Sequence, residues 1–326
     1  PMIDLLPDAT RGRLWQIEDY LLQLAGPTGP KPKMGPAKSD LEKARDEWKA
    51  WWAANRAGRD LAKFDYKPTT TGNLLLLTAD QVGYAQAIVS ELGPDMTRKW
   101  RYGGVYCPAD IAPLPNGNTL VLEQQYNRIM ERDAAGNQVN VFNSQNYGQP
   151  FGFHKLANGN TLVAFQRTAV EYDKDWKETG KKYNSNSDDV VDVKRDDAGT
   201  TFVLLRNQNN RIGKIVKLDE NWKEKGTPVT TGVLSYYHYR MQVLPDERIL
   251  IAEQNRVAEY DVKAGKKDPV WSFQLGNAAM AERLPNGNTL VSDQSVGGIR
   301  EVTPKNEVVW TFALTDGRIA LRAIRR

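Results

Sequence analysis

One repeated stretch dominates the sequence: LPNGNTLV occupies residues 114–121 and again residues 284–291. A close copy, LANGNTLV, occupies residues 156–163 between them. Asn-Gly between two apolar runs indicates a β-hairpin, and the tight primed turn expected there needs φ > 0 at both central residues. A hairpin that returns at a regular interval indicates a repeat architecture, so this repeat limits the possible folds more than any other feature.

The interval between repeats is nearly constant. Six equivalent positions, one in each repeat, follow one another at spacings of 40 to 48 residues. These repeat positions are Leu74, Thr119, Thr161, Thr201, Ile249 and Thr289. Most are followed by a run that alternates apolar and polar residues, as at 128–133 and 256–261, and such alternation is typical of a strand with two unlike faces.

A further short run closes the repeats, most clearly at residues 99–102, 270–273 and 308–312. Four strands in about 40 residues describe one blade of a β-propeller. The sequence therefore predicts an all-β fold, a six-bladed β-propeller over residues 68–326.

The two ends of the repeat region are predicted to close the ring. Residues 318–324 read as a first strand with no hairpin partner after it, and residues 72–77 read as a second strand with no first strand before it. If they pair, the C-terminal strand completes the first blade. A closed ring leaves no long exposed strand edge that could aggregate.

A small α-helical segment over residues 1–67 is predicted to precede the propeller. Apolar residues at helical spacing predict a first helix over residues 10–25. A capping box that begins at Ser39 predicts a second helix that ends near Arg56. The chain begins with neither an initiator Met nor a signal peptide, so it looks processed or cut from a longer protein.

Three tryptophans, Trp48, Trp51 and Trp52, crowd the second helix. Two helices of this size cannot bury three Trp side chains by themselves. We expect another surface to cover them, which could be the propeller wall, an upstream domain or a partner protein. On the last interpretation, these three residues are partner contacts.

Composition excludes several kinds of site. The net charge is only +4 and no long block of like charges occurs, so a nucleic-acid-binding tail is not expected. Cys107 is the single cysteine, which excludes an internal disulfide and a Cys-rich metal site. No apolar run approaches the length of a membrane span. The prediction is that the chain uses no metal and no cofactor.

Several motifs together resemble one broad bacterial group. They are the LPNGNTLV copies, the Asn-Arg-Ile and Asn-Arg-Val runs at 127–129 and 255–257, and VVWTF at 308–312. The group comprises the six-bladed propellers related to arylsulfate sulfotransferases and to pyrroloquinoline-quinone-type repeats. The stretch ARDEWKAWW at 44–52 is similar to the end of the helical region in large bacterial proteins that join HEAT-type helices to such a propeller.

The resemblance implies the fold and favours an extracytoplasmic location, although the residues themselves do not decide the compartment. In the sulfotransferase relatives it also implies a channel histidine nucleophile, often five residues before the Leu of the hairpin motif. The corresponding positions in this chain are Ala109, Phe151, Tyr239 and Ala279. None of them is His, which argues against the catalytic activity of that group.

A second repeated feature predicts a binding face. The residues five positions after the repeat positions should lie near the loops that join the second and third strands, and four of the six are glutamine. They are Ala79, Gln124, Gln166, Arg206, Gln254 and Gln294. One interpretation is a structural amide that bonds neighbouring backbone, and the other is a ring of amides that binds a polar ligand.

The run Tyr236-Tyr237-His238-Tyr239-Arg240 is the most unusual local sequence. It enters the first strand of the fifth blade, where aromatic rings, an imidazole and a guanidinium suit recognition of an anionic or aromatic group. His154 has a similar channel-side setting. The alternatives are core packing for the tyrosines and a buried, hydrogen-bonded structural role for His154.

These patterns lead to one predicted function and one alternative. The prediction is a non-catalytic binding or scaffold propeller, an accessory subunit of a larger assembly, with other protein subunits and a small anionic or aromatic ligand as partners. The alternative is a sulfotransferase-like enzyme or a small-ligand sensor that uses His154, His238 and Arg240 at the channel mouth. An enzyme requires these side chains to converge at one open site, whereas a scaffold requires them to be dispersed or buried.

Overall fold

The computed structural model describes residues 2–9, 11–26, 29–30, 32, 38–57, 59, 61–64, 72–80, 86–144, 146–235, 239–295, 297–314 and 317–325. In this part of the chain, 24 strands form six four-stranded antiparallel sheets. The sheets are arranged as the six blades of a β-propeller, which confirms the predicted fold.

Within each of the first three blades, the strands follow one another from the channel outward. Blade 1 contains β24 (Ile319–Arg325), β1 (Leu74–Ala79), β2 (Ala87–Leu92) and β3 (Arg98–Val105). Blade 2 contains β4 (Pro108–Pro113), β5 (Thr119–Glu123), β6 (Arg128–Arg132) and β7 (Gln138–Asn143). Blade 3 contains β8 (Pro150–Lys155), β9 (Thr161–Phe165), β10 (Thr168–Tyr172) and β11 (Glu178–Asn184).

The other three blades have the same order. Blade 4 contains β12 (Asp189–Arg195), β13 (Thr201–Arg206), β14 (Ile212–Leu218) and β15 (Glu224–Val233). Blade 5 contains β16 (Met241–Leu244), β17 (Arg248–Ala252), β18 (Arg256–Asp261) and β19 (Trp271–Gln274). Blade 6 contains β20 (Ala278–Arg283), β21 (Thr289–Asp293), β22 (Gly298–Val302) and β23 (Val308–Ala313).

The ring closes as the sequence predicted. Strand β24 pairs antiparallel with β1, with Leu77 opposite Arg322 and Leu74 opposite Arg325. The innermost strands also contact one another in a continuous circle, in the order β24, β4, β8, β12, β16 and β20. Because β24 comes from the C-terminus, one blade joins the two ends of the repeat region and no sheet edge is left open at the join.

The hydrophobic core lies between the blades. Each of six apolar clusters combines residues from two neighbouring sheets; the cluster between blades 4 and 5, for example, contains Val191, Phe202, Ile249 and Tyr260. The middle strands β5, β9, β13 and β21 are buried along nearly their whole length because both of their faces pack against other sheets. The outermost strands are mostly exposed.

The LPNGNTLV repeats form the turns between the first and second strands, but the expected primed turn is wrong. Only the glycines have positive φ, at 91° for Gly117, 90° for Gly159 and 86° for Gly287. Gly117 N donates to Leu114 O at 3.1 Å, and Asn116 Oδ1 accepts from Asn118 N at 3.0 Å. The loop is therefore longer than a two-residue turn and needs a single left-handed residue, which glycine supplies.

The N-terminal segment forms its own small core. It contains a 3-10 helix (Met2–Asp8), α1 (Arg11–Ala25), α2 (Lys38–Asn55) and a short 3-10 helix (Leu61–Lys63), which places both predicted helices close to their expected bounds. Trp48 is 0% exposed and packs in a cluster with Ile3, Leu6, Ile17 and Leu21. The sequence analysis missed the first 3-10 helix, which supplies the extra apolar surface that Trp48 requires.

Trp51 and Trp52 lie at the edge of the same N-terminal cluster and are partly buried. The Trp51 ring contacts Trp48 edge to face at 5.7 Å, and the guanidinium of Arg59 lies 5.0 Å from the Trp51 ring centre. Of the three predicted partner contacts, Trp48 is thus inside the segment. A partner could reach only Trp51 and Trp52 without opening this core.

Candidate functional site

Strand register places one residue from each inner strand at the same height in the channel. In each blade, the repeat position lies on the second strand. The residue directly after it is paired with one inner-strand residue, and these six partners lie at the same level. We call this layer the turn-side ring; it consists of Ala112, His154, Lys194, Gln242, Glu282 and Ile324. Because β8 and β20 are third and sixth in the circle of inner strands, His154 and Glu282 lie on opposite sides of the channel.

The neighbouring layer contains three buried charged residues, Asp110, Asp192 and Arg240, and the partly buried Arg322, and we call these four residues the charged plug. Asp110 Oδ2 lies 2.9 Å from Arg240 Nε, and Asp110 Oδ1 lies 3.5 Å from Arg322 Nε. Arg240 also donates to Tyr239 O at 2.5 Å and to Ala109 O. Three blades are therefore joined through a single buried carboxylate.

Charge balance within the plug keeps Asp110 ionised. Burial by itself would raise the Asp110 pKa, but the positive charges of Arg240, Lys194 and Arg322 outweigh burial and hold this pKa below its ordinary value. Asp192 accepts from Met241 N at 2.9 Å and from Lys194 Nζ at 3.0 Å. The plug thus couples blades 1, 2, 4 and 5.

On one side of the plug is the turn-face cavity, named for the loops between first and second strands that surround it. Its volume is about 650 Å³, and the whole turn-side ring contributes to its wall. Apolar residues such as Met241, Val243 and Ile324 line it together with the charged residues Glu282 and Arg322. This size is within the range of small-molecule sites.

On the other side is the loop-face pocket, which lies among the loops between second and third strands and the connections between blades. Its volume is about 380 Å³. It is lined by Gln124, Gln149, Phe151, Arg206, Gln208, Arg211 and Tyr239. Among the described residues, the lining includes two arginines and no acidic residue, which gives this wall a positive character.

Hydrogen bonds fix the shape of the loop-face pocket. Arg206 pairs with Asp189 at 2.5 Å and donates to the Tyr239 hydroxyl, while its guanidinium lies 4.7 Å from the Tyr239 ring centre. Gln208 Nε2 donates to Asp189 Oδ1 at 2.7 Å, and Arg211 Nη2 donates to Gln254 Oε1 at 3.1 Å. Burial raises the Tyr239 pKa, so this phenol stays protonated at neutral pH.

The structure brings together three of the predicted binding residues, Gln124, Arg206 and Tyr239, in the loop-face pocket. The other glutamines have separate surroundings. Gln254 accepts from Arg211 at the neighbouring loop, Gln294 Oε1 accepts from Asn277 Nδ2 at 3.1 Å, and Gln166 is exposed. A continuous ring of amides is therefore not formed. Tyr237 and His238 lie outside the described residues.

His154 and Arg240 lie away from the loop-face pocket. His154 belongs to the turn-side ring, where its Nδ1 accepts from Arg195 N at 3.0 Å. Burial, together with the nearby charges of Lys194 and Arg195, lowers the His154 pKa to about 3. Arg240 is 4% exposed inside the charged plug. The structure thus gives both residues structural bonds, and it does not bring them together at one open site.

Sequence reasoning missed Gln149, Gln208 and Arg211 in the pocket and Glu282 in the cavity. The signal for Glu282 was present, because it occupies the same register position in its blade as His154 does in blade 3. Arg211 was marked in the sequence only by the Asn-Arg run that it shares with Arg128 and Arg256, and the repetition of that run suggested a structural hydrogen bond.

An exposed aromatic pair lies on the same face as the loop-face pocket. Tyr106 is 41% exposed and Tyr126 is 54% exposed, and their ring centres are 5.9 Å apart. The guanidinium of Arg128 lies 4.9 Å from the Tyr126 ring centre. Tyr126 is in the same loop as Gln124, so the aromatic pair and the pocket share one blade-2 loop.

No group of three or more His, Cys, Asp or Glu suited to a metal ion is found in the described part of the chain. Among the described helices, none is both long enough and apolar enough to cross a membrane.

No protein-family model and no curated protein matches this chain. Solved structures match its fold. A Bacteroides caccae protein of unknown function is 14% identical with a TM-score of 0.57, over 76% of this chain and 95% of that chain. Kuenenia stuttgartiensis hydrazine synthase is 10% identical with a TM-score of 0.54, over 82% and 99%. Agrobacterium tumefaciens regucalcin, a calcium-binding protein, is 11% identical with a TM-score of 0.50, over 64% and 74%. Identities this low establish the propeller fold alone.

Proposed function

We propose that this chain is a non-catalytic binding propeller, a subunit that holds an acidic segment of a partner protein against its loop face. The observation that carries the proposal is the placement of the positive loop-face pocket and the exposed Tyr106–Tyr126 pair on one face. Tyr and Arg are the residue types that most often dominate the binding energy of protein interfaces.

The pocket suits a carboxylate. Arg206 is held in place by Asp189 and the Tyr239 ring, so its guanidinium is ordered before any partner binds. Arg211, which also lines the pocket and donates to Gln254 Oε1, adds a second guanidinium. A bidentate Arg–carboxylate contact gives both geometric specificity and a charge-assisted hydrogen bond.

The aromatic pair suits a protein rather than a free anion. Two neighbouring exposed tyrosines, one of them in contact with Arg128, offer apolar area with polar tips. A small anion in the pocket would leave this area uncovered. A partner segment that places a carboxylate in the pocket would cover both features.

Support for a non-catalytic role comes from the residues that an enzyme would need. His154 is neutral, and its Nδ1 is already bonded to Arg195 N. Arg240 is buried against Asp110. A sulfotransferase-like reaction in the channel would need both of these groups at one accessible site.

The test is to isolate the protein from its source under mild conditions and to measure the mass of the particle that contains it. We expect a particle well above the 36.7 kDa of the chain. The double substitution Tyr126→Ala and Arg211→Ala should release the chain, whereas Val139→Ala, which changes an exposed residue on the outer strand β7, should not.

Two results would contradict the proposal. The first is a wild-type particle with the mass of one chain, which would favour an enzyme or a small-ligand sensor. The second is release by Val139→Ala but not by the double substitution, which would place the interface on the outer wall. An acidic peptide and free benzoate, titrated separately into the wild-type chain, distinguish a partner segment from a small anion.

A further inference from the structure

Glu282 lines the turn-face cavity, and the fold leaves one oxygen of its carboxylate without a partner. Glu282 Oε2 is buried, and no described residue donates a hydrogen bond to it. A buried acceptor without a partner lowers stability, and such atoms are rare in folded proteins. Because Glu282 lines the cavity, a donor bound there can approach its carboxylate.

The cations that line the cavity are committed to other groups. Lys194 bonds Asp192 at 3.0 Å and Phe153 O at 2.6 Å, and Arg322 faces Asp110 at 3.5 Å. Arg195 pairs with Glu171 at 2.7 Å. These three cations therefore lie beside acids of the fold, although Arg322 Nε makes no hydrogen bond to a described residue.

Lys155 completes the set of basic residues in the cavity wall. Its Nζ donates to Gly159 O at 2.5 Å and to Thr161 Oγ1 at 3.2 Å, and burial lowers its pKa. The rim adds two exposed acids, Asp197 and Asp246. With Glu282 inside and these two carboxylates at the entrance, the cavity attracts a cation more than an anion.

We propose that the turn-face cavity binds a small organic ammonium ion, whose N–H groups donate hydrogen bonds to the Glu282 carboxylate. Glu282 supplies one carboxylate and the described residues form no metal-ligand cluster, so a metal ion is a poor fit. Apolar wall residues such as Val243 and Ile324 suit the organic part of the ligand.

His154 supports the same ligand from the opposite wall. Since its Nδ1 accepts from Arg195 N and the ring is neutral, the proton must be on Nε2. The turn-side ring therefore offers an acceptor at Glu282 and a donor at His154, across the channel from each other. An ammonium ion that also carries a hydroxyl or carbonyl group could use both.

The proposal makes binding depend on pH. Burial raises the Glu282 pKa to about 7; Asp110 adds to this shift, whereas Arg322 and Arg325 oppose it. Lys194 and the neutral His154 are the other titratable members of the turn-side ring. Because only ionised Glu282 attracts a cation strongly, affinity should be high above neutral pH and fall below it.

The test is calorimetric titration of the full chain with benzylammonium, benzyl alcohol and benzoate, which share one ring and differ in charge. At about pH 8 we expect benzylammonium to bind at least tenfold more tightly than the other two, and its affinity to fall about tenfold at about pH 6. Glu282→Gln should remove this preference, whereas the matched control Glu307→Gln, in an exposed turn on the outer part of the same face, should retain it.

Several outcomes would overturn the proposal: no detectable benzylammonium binding, tighter binding of benzoate or benzyl alcohol, or unchanged binding in Glu282→Gln. The pH series uses the unmodified chain, so a flat affinity between about pH 6 and about pH 8 counts against the proposal even if Glu282→Gln does not fold. The cavity lies on the face opposite the proposed partner surface, so either proposal can fail without the other.

Discussion

His154 and Glu282 show that burial at one level of the channel shifts the pKa values of a base and an acid in opposite directions. Both belong to the turn-side ring, and for both the largest cause of the pKa shift is burial. Burial disfavours the charged form, so it lowers the pKa of the imidazole and raises that of the carboxyl. At neutral pH His154 is therefore uncharged, while Glu282 is poised between its two forms.

The low pKa of His154 gives a prediction about stability. In the folded chain His154 stays neutral down to about pH 3, whereas in the unfolded chain it takes up a proton below about pH 6.5. Folding stability from this group therefore falls as pH falls from about 6.5 toward 3, because the unfolded state binds the extra proton.

This prediction is checked with imidazole nitrogen chemical shifts, assigned by their loss in His154→Gln. We expect the Nε2–H tautomer and no titration of His154 between about pH 5 and about pH 8. A midpoint near the ordinary histidine value would show that His154 is solvated and that its bond to Arg195 N is not maintained.

Asp192, a side chain of the charged plug, leaves room only for glycine at residue 152. A Cβ at residue 152 would lie 2.5 Å from Asp192 Oδ1 and 3.1 Å from Val191 O. Since Asp192 is 0% exposed and bonded on several sides, it cannot move away easily. Gly152→Ala should therefore lower the free energy of unfolding by about 1–3 kcal/mol.

Chemical denaturation measures this effect. Gly103→Ala is the matched control, because no atom lies within 4 Å of its added Cβ. Equal stability of the two variants would mean that the charged plug is loosely packed.

At the scale of the element, the LPNGNTLV repeat has a role beyond its turn. The second Asn of each copy donates its side-chain amide to a glutamate on the third strand: Asn118 to Glu131 at 2.6 Å, Asn160 to Glu171 at 2.7 Å and Asn288 to Glu301 at 2.6 Å. The turn between the first and second strands is therefore hydrogen-bonded to the third strand of the same blade. This bond explains why the motif is Asn-Gly-Asn rather than Asn-Gly alone.

Asn288→Ala should destabilise blade 6 because Glu301 is 2% exposed and would lose this donor. We expect a loss of about 1–3 kcal/mol in the free energy of unfolding. The control is Asn221→Ala, in an exposed turn where only the backbone nitrogen bonds Asp219. A loss of the same size in both variants would indicate a general turn effect rather than the Asn288–Glu301 bond.

At the scale of the whole molecule, closure depends on one strand. Strand β24 covers β1, whose residues Leu74, Leu75 and Leu77 are each 0% exposed. Its Arg322 also reaches the charged plug. Removal of residues 319–326 would expose the edge of β1 and leave Asp110 with fewer counter-charges.

We predict that this C-terminal truncation yields aggregated protein, since an exposed apolar edge strand pairs with other chains. The control truncation removes residues 1–64, which leaves all six sheets and takes away an N-terminal core whose described members all lie in residues 3–52. This second variant should remain soluble with a cooperative thermal transition. Aggregation of both variants would contradict the predicted division into a segment over 1–67 and a propeller over 68–326.

The six-bladed fold follows from local patterns in the amino-acid sequence. A hairpin motif that recurs every 40 to 48 residues fixes the number of blades, and the alternation of apolar and polar residues marks their strands. Both are local properties of the chain, so they predicted the six blades. Residues 72–77 and 318–324 predicted the closing strand, and apolar residues at helical spacing predicted the first N-terminal helix. The finer resemblance to sulfotransferase-like propellers stays a prediction.

Which polar residues act together depends on contacts between blades that are distant in the chain. Gln124, Arg206 and Tyr239 come from three different blades and meet because the ring curves around a single axis. His154 and Arg240 looked equivalent to them in sequence, but one is bonded to the next blade and the other is neutralised by Asp110. Pairing of charges across blades depends on distances between strands far apart in the chain, and local sequence patterns contain no information about those distances.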